Sequence, residues 1–71
     1  MDKTELAKLQ KFMRGALQSS NLEVRARPRK ADSAEVYIED EFVGVLFRDE
    51  EDGELSYNFS MAILDYDLEE A

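Results

Sequence analysis

The stretch from residue 34 to residue 63 constrains the fold most strongly, because its apolar residues recur at strand spacing and acidic turns interrupt it. Apolar and polar side chains alternate from Glu54 to Ile63, which is typical of a strand with one buried face. Residues 42–47 are apolar throughout, as expected of a central strand covered on both faces. We therefore predict three consecutive antiparallel strands, over residues 34–39, 42–48 and 54–63.

The two turns set the register of these strands. Asp52-Gly53 ends the second turn, because glycine adopts a positive φ without a Cβ clash. The first turn, near residues 40 and 41, then places Val43 opposite Ile38 and Val45 opposite Val36. A slip by one residue would turn these side chains toward water, so the pattern specifies this register.

A helix and a further strand precede this meander. Asp2 and Glu5 fit a capping box, which predicts a helix over residues 3–18. Residues 22–27 alternate like a strand, and Pro28 ends it because proline has no N–H for the ladder. The helix should pack through one apolar stripe at helical spacing, formed by Leu6, Leu9, Phe12, Met13, Ala16 and Leu17.

The expected fold class is α+β, in a single domain of 71 residues. The N-terminal helix packs on a four-stranded antiparallel meander sheet with strand order 1-2-3-4. An acidic C-terminal tail follows over residues 64–71. This tail either extends the last strand past its neighbour or forms a short helix after Ser60, and we favour the strand. Such an overhang would expose apolar side chains that attract a partner, namely Leu64, Tyr66 and Leu68.

Composition excludes several kinds of chemistry. The chain has no cysteine and no histidine, which excludes disulfides, thiolate chemistry, and Cys or His metal sites. Ser-His-Asp and Cys-His nucleophiles are excluded for the same reason. The acidic turn at residues 49–54 does not match a calcium loop, because aligning Gly53 with the conserved glycine puts Arg48 at the first ligand position. We expect no catalytic residue, no metal and no cofactor, and therefore no enzyme.

The charge of the chain is unevenly distributed. Residues 1–30 carry eight Lys/Arg and three Asp/Glu, a formal charge of +5, whereas residues 31–71 carry −13, which gives the net charge of −8. The basic side chains either pair with the acidic half inside one molecule or bind an external anion or acidic protein. The candidate binding residues are Arg25, Arg27, Arg29 and Lys30.

An apolar island is expected on the sheet face that points away from the helix. In the register above, Tyr37, Phe42 and Leu46 share this face with mostly charged residues. Such an island is either ordinary exposed surface or a partner surface. Together with the tail, the candidate interface residues are Tyr37, Phe42, Leu46, Leu64, Tyr66 and Leu68.

Several segments give the chain a family resemblance. These are Arg27-Pro28-Arg29-Lys30, Phe47-Arg48-Asp49 and Ser56-Tyr57-Asn58-Phe59, within a match that runs from residue 26 to residue 70 and extends to the preceding helix. The chain resembles a family of small uncharacterised alphaproteobacterial proteins, a domain of unknown function. The resemblance implies a stand-alone bacterial cytosolic protein and assigns no functional residue.

The expected function is that of a small non-enzymatic protein-interaction module, as a homodimer or with another protein partner. It would use the edge of the last strand, the apolar island, or docking between the unlike charged halves. The alternative is nucleic-acid or phosphate-ligand binding through the basic patch from Arg25 to Lys30. Nucleic acid is the weaker expectation because the acidic half repels a polyanion. Because no signal peptide and no long apolar run is present, we expect a cytoplasmic protein with no membrane partner.

Overall fold

The structure is a computed structural model, and it describes residues 1–51 and 53–69. Asp52 of the predicted second turn, and the last two residues of the predicted tail, Glu70 and Ala71, lie outside the described residues. The sheet is antiparallel with strand order β1-β2-β3-β4, which confirms the α+β class and the meander. The elements are α1 (Lys3–Ala16), β1 (Leu22–Arg27), β2 (Lys30–Ile38), β3 (Glu41–Asp49), β4 (Ser56–Ser60) and α2 (Asp65–Glu69).

Helix α1 begins where the sequence predicts and ends two residues earlier. The Asp2 side chain accepts a hydrogen bond from the Glu5 backbone N–H at 2.8 Å, as expected of an N-cap. Leu17 is the C-cap, and Gln18 has a φ of 51°, in the left-handed region, which stops the helix. Residue 18 therefore lies outside the helix, contrary to the prediction.

The helix lies along β1. Arg14 Nε donates to the Leu22 carbonyl at 2.7 Å, and the Val24 N–H donates to Gln10 Oε1 at 3.0 Å. Both backbone groups point away from β2, so helix side chains occupy the outer edge of β1. Among the strands, β1 is the main partner of α1. The buried apolar core is small and consists of Met13, Leu22, Val24, Ala34, Val36 and Leu46.

The first hairpin is tighter than predicted. Strand β2 begins at Lys30, so only Pro28 and Arg29 form the turn, and most of the loop expected before residue 34 belongs to the strand. The strand registers shift between Ala26 and Arg27, which pairs Arg27 with Lys30. This irregularity accommodates a proline that cannot take part in a regular ladder.

The predicted register between β2 and β3 was wrong. Glu39 and Asp40 both have positive φ, 52° and 65°, and form a two-residue turn that pairs Ile38 with Glu41. A bulge then leaves Val43 unpaired, and Val36 lies opposite Gly44.

This register decides which side chains of β3 lie under the helix. We call the covered side of the sheet the helix face and the opposite side the outer face. Gly44 and Leu46 lie on the helix face, whereas Val45 and Phe47 lie on the outer face, so Leu46 lies on the face opposite to the one predicted.

The last strand and the tail also differ from the prediction. Strand β4 covers Ser56–Ser60 only, and the tail forms α2 where we favoured a longer strand. The Leu64 N–H donates to Asp67 Oδ2 at 3.0 Å, and the Leu68 N–H donates to the Leu64 carbonyl at 3.3 Å. These local hydrogen bonds satisfy backbone groups that have no strand partner beyond Ser60.

Gly44 is required by close packing between β3 and β4. A Cβ built on Gly44 would lie 2.5 Å from the Ser60 carbonyl oxygen and 2.6 Å from the ring of Phe59. We expect Gly44→Ala to lower the free energy of unfolding by about 1–3 kcal/mol, because a backbone atom cannot move aside cheaply. Urea denaturation followed by circular dichroism measures this change.

Gly15→Ala is the matched control, since nothing lies within 4 Å of a Cβ at Gly15. It should raise the free energy of unfolding by about 1 kcal/mol, because alanine is the better helix former. Equal effects of the two substitutions would contradict the packing described at Gly44.

Candidate functional site

An apolar groove lies between α1 and the half of the helix face formed by β3 and β4. It exists because α1 packs along β1 and covers the β3 and β4 side of that face only in part. Its volume is about 380 Å³. We call it the α1–β4 groove, and it is lined by Leu9, Phe12, Met13, Ala16, Leu17, Leu46, Tyr57 and Phe59.

The floor of the groove is buried and its rims are exposed. Leu46 and Met13 keep only 3% and 7% of their surfaces accessible. Phe12 is 72% exposed, Leu17 is 53% exposed and Phe59 is 39% exposed. Large apolar side chains on both rims of one concave surface are typical of a docking site rather than of scattered surface residues.

A polar contact closes one end of the groove. The Tyr57 hydroxyl donates a hydrogen bond to Glu5 Oε2, and Arg48 Nη1 lies 3.4 Å from the same oxygen. The Glu5 side chain therefore joins α1 to β3 and β4. The hydrogen bond to Glu5, and then burial, raise the pKa of Tyr57 above that of a free tyrosine.

Lysines flank the groove on the outer side of α1. Lys8 and Lys11 line a shallow hollow that shares Phe12 and Ala16 with the groove. The Glu5 carboxylate at the end of the groove is paired with Arg48, and within the described part of the chain no other carboxylate lines the groove or this hollow. The surroundings are therefore locally basic although the chain has a net charge of −8.

The basic patch predicted from the sequence is partly paired within the molecule. Arg25 Nη2 lies 2.7 Å from Asp40 Oδ1 and 2.9 Å from Glu23 Oε1. Its guanidinium also stacks 4.0 Å from the centre of the Tyr37 ring. Arg25 is thus held on the outer face of the sheet and is not presented to an external anion.

The other three residues of the patch lie around the first hairpin. Arg27 Nε is 4.0 Å from Glu35 Oε2, and Arg27 Nη1 donates to Ser33 Oγ at 3.4 Å. Arg29 and Lys30 are exposed, and neither forms an ion pair with the carboxylates described by the structure. A hollow at the hairpin brings these three side chains together with Glu35.

The structure brings some of the candidate interface residues together and separates Leu46 from them. Tyr37 and Phe42 meet edge to face on the outer face, with ring centres 5.8 Å apart. Leu46 was wrongly assigned to this island, because the bulge in β3 places it on the helix face, where it is buried. Leu64, Tyr66 and Leu68 lie on the tail, each more than 60% exposed, and Leu68 lines a hollow together with Phe42.

Sequence reasoning missed the groove because it assigned Phe12, Leu17 and Phe59 to the core. Their spacing does place them on the correct face of each element. A periodic pattern does not report how much of the sheet one helix covers. The available signal was the apolar stripe of α1, which is wider than contact with a single strand requires.

The fold and this surface define a small α+β domain in which one helix covers half of an open antiparallel sheet. The chain belongs to the DUF3126 family, described as "Protein of unknown function (DUF3126)", which matches residues 5–67. Comparison with curated proteins and comparison with solved structures each returned no match. No helix within residues 1–51 and 53–69 has the length and apolar character needed to cross a membrane.

The contact between Tyr57 and Glu5 should make stability depend on pH. Tyr57→Phe should lower the free energy of unfolding by about 1 kcal/mol at neutral pH, through loss of a hydrogen bond to a carboxylate. Because folding raises the pKa of Tyr57, this stabilisation is complete below the ordinary tyrosine pKa of about 10. It is lost as the pH rises through the raised pKa of the folded chain. Urea denaturation of wild type and Tyr57→Phe, from neutral pH to well above a pH of about 10, measures the difference in the free energy of unfolding.

Tyr66→Phe is the control, because Tyr66 is 65% exposed and its hydroxyl forms no hydrogen bond within the described residues. It should change stability by less than about 0.5 kcal/mol. A constant difference between wild type and Tyr57→Phe at all pH values would show that the hydroxyl does not contribute through this hydrogen bond.

Proposed function

We propose that this protein is a non-enzymatic protein-interaction module whose α1–β4 groove binds an acidic segment bearing apolar side chains. The observation that carries the proposal is the groove itself, with a buried apolar floor and the exposed rim residues Phe12, Leu17 and Phe59. Burying these rims against a partner removes apolar surface from water, which is the main favourable term in most protein associations.

The charges beside the groove support an acidic occupant. Lys8 and Lys11 lie next to Phe12, so carboxylates of a bound segment would face cations while its apolar side chains enter the groove. A basic segment would meet two like charges there. Complementary charge steers encounter and selects the partner more than it strengthens the final complex.

The tail of this chain has the chemistry that the groove requires. Its apolar side chains Leu64, Tyr66 and Leu68 alternate with Asp65, Asp67 and Glu69, and all of them are exposed. A synthetic peptide with the sequence of residues 61–69 is therefore a suitable probe for binding in the groove.

The alternative function, binding of nucleic acid or a phosphate ligand by the basic patch, has less support. Arg25 is paired with two carboxylates, and Arg27 lies beside Glu35. Within the basic patch, Arg29 and Lys30 are the two residues left exposed for an anion and unpaired among the described residues, in a chain whose net charge is −8.

We also propose a cytoplasmic location and an alphaproteobacterial origin, on the strength of the sequence resemblance.

The peptide probe tests the groove directly. We expect the residue 61–69 peptide, added to the ¹⁵N-labelled full chain, to shift amide resonances of α1 and β4 around the groove. Phe12→Ser should weaken peptide binding about tenfold, because an exposed aromatic anchor is lost at the rim. Raised ionic strength should also weaken binding, since Lys8 and Lys11 contribute through screened charges.

Two controls make this result specific. Phe47→Ser removes an aromatic side chain, 43% exposed, from the outer face, where it lines neither the groove nor the hollow beside the tail, and should leave binding unchanged. A peptide with Asp65→Asn, Asp67→Asn and Glu69→Gln should bind more weakly than the acidic peptide. Resonance shifts that avoid the groove, or equal binding by the Phe12→Ser variant, would refute the proposal.

A further inference from the structure

The two edge strands of the sheet, β1 and β4, differ in the hydrogen bonds made by their outward backbone groups. At β1 the Leu22 carbonyl accepts from Arg14 and the Val24 N–H donates to Gln10, both side chains of α1. At β4 no hydrogen bond from the described residues reaches the outward backbone of residues 56–60. Strand β4 therefore pairs with β3 on one side only, and its other edge has no strand partner among the described residues.

The open strand also lacks the protection that edge strands normally carry. Natural edges are guarded by charged side chains, proline or covering segments, which prevent pairing with another chain. Residues 55–61 contain no charged residue and no proline, in a chain of which 37% is charged. The sequence LSYNFSM thus presents an uncharged edge.

This segment is symmetric about Asn58 in chemical class. Reading outward in both directions from Asn58, an aromatic residue comes first, a serine second and a large apolar residue third. The three matched pairs are Tyr57 with Phe59, Ser56 with Ser60, and Leu55 with Met61. In an antiparallel pair of two copies about Asn58, residue i faces residue j and j faces i, so this symmetry sets aromatic opposite aromatic, serine opposite serine and apolar opposite apolar.

We propose that β4 pairs with β4 of a second copy, antiparallel and about a two-fold axis through Asn58, to form a continuous eight-stranded sheet. The axis is perpendicular to the sheet, so both helices lie on one side. Tyr57 of each copy then faces Phe59 of the other, and each serine faces a serine. This self-association goes beyond the binding of an acidic segment in the α1–β4 groove and does not depend on it.

The pairing accounts for two exposed side chains outside β4. Leu55 is 55% exposed and Met61 is 51% exposed in the single chain. Continuing the ladder by one residue beyond each end of β4 sets Leu55 opposite Met61 of the second copy. Cross-strand aromatic and apolar pairs are the stabilising units of antiparallel sheets.

Placing the axis elsewhere gives poorer pairs. An axis through Tyr57 sets Glu54 opposite Ser60 and pairs Ser56 with Asn58. An axis through Phe59 moves Tyr57 opposite Met61 and leaves Ser56 facing a residue beyond the strand. Only the axis through Asn58 pairs all five residues of β4 with residues of β4.

Disulfide trapping tests this register, because the chain has no cysteine of its own. Asn58→Cys should oxidise to a covalent dimer, since each new thiol faces its own copy at the axis. Ser56→Cys and Ser60→Cys should each stay uncrosslinked alone and crosslink when the two are mixed in equal amounts. Ser20→Cys, in the exposed loop before β1, is the control and should remain monomeric on a non-reducing gel.

Charge substitution provides a second measurement that needs no oxidation. Ser56→Lys with Ser60→Lys places like charges opposite one another at both ends of the paired strands, so we expect a monomer by light scattering where wild type is a dimer. Ser56→Lys with Ser60→Glu places unlike charges opposite and should retain the dimer. Both variants alter the same two exposed positions, so a difference between them reports pairing and not folding.

Two outcomes would overturn the inference. A wild-type chain that is monomeric over a wide concentration range would exclude the dimer. A dimer in which Asn58→Cys fails to crosslink, or in which both charge variants behave alike, would exclude this register. Tyr57 and Phe59 belong to both surfaces, but Phe12 lies on α1 outside the paired strands, so the effect of Phe12→Ser on peptide binding reports the groove and not the dimer.

Discussion

The position of α1 on the edge of β1 is the constraint on which the rest of this structure depends. Two side-chain hydrogen bonds, from Arg14 to the Leu22 carbonyl and from the Val24 N–H to Gln10, hold the helix over the first strand. The helix therefore covers the Leu22 to Val24 part of the β1 edge. In doing so it covers the far half of the helix face only in part and leaves the far edge uncovered, and the groove and the open strand are consequences of this one placement.

A second constraint is the close approach of β3 and β4 at Gly44. The Phe59 ring occupies the space that a side chain at Gly44 would take, so the aromatic residue stays on the helix face and forms a rim of the groove. The bulge at Val43 brings Gly44 to this position and turns Leu46 beneath the helix. The core and the groove therefore share residues, and a substitution made to alter the groove needs a stability control.

Electrostatics divide the molecule into paired and unpaired regions. Arg25, Arg27 and Arg48 each lie beside a carboxylate on or near the sheet, so much of the basic half neutralises acidic neighbours. Lys8 and Lys11 lie on the outer side of α1 and form no ion pair with the carboxylates described. The uneven charge along the sequence thus becomes a local basic surface beside an apolar groove, in a molecule that is acidic as a whole.

The sequence alone determined the N-cap at Asp2, the helix, the four strands and their order, because capping chemistry and apolar periodicity are local properties. It also determined that Tyr57 and Phe59 share a face. Only the tertiary structure decided the face of Leu46, because a bulge and a turn with two positive φ values leave no mark on a period-two pattern. It also decided that the tail turns into a helix and that α1 covers about half of the sheet. Helix coverage depends on contacts between distant residues, such as Arg14 with Leu22 and Glu5 with Tyr57, and no local pattern encodes those distances.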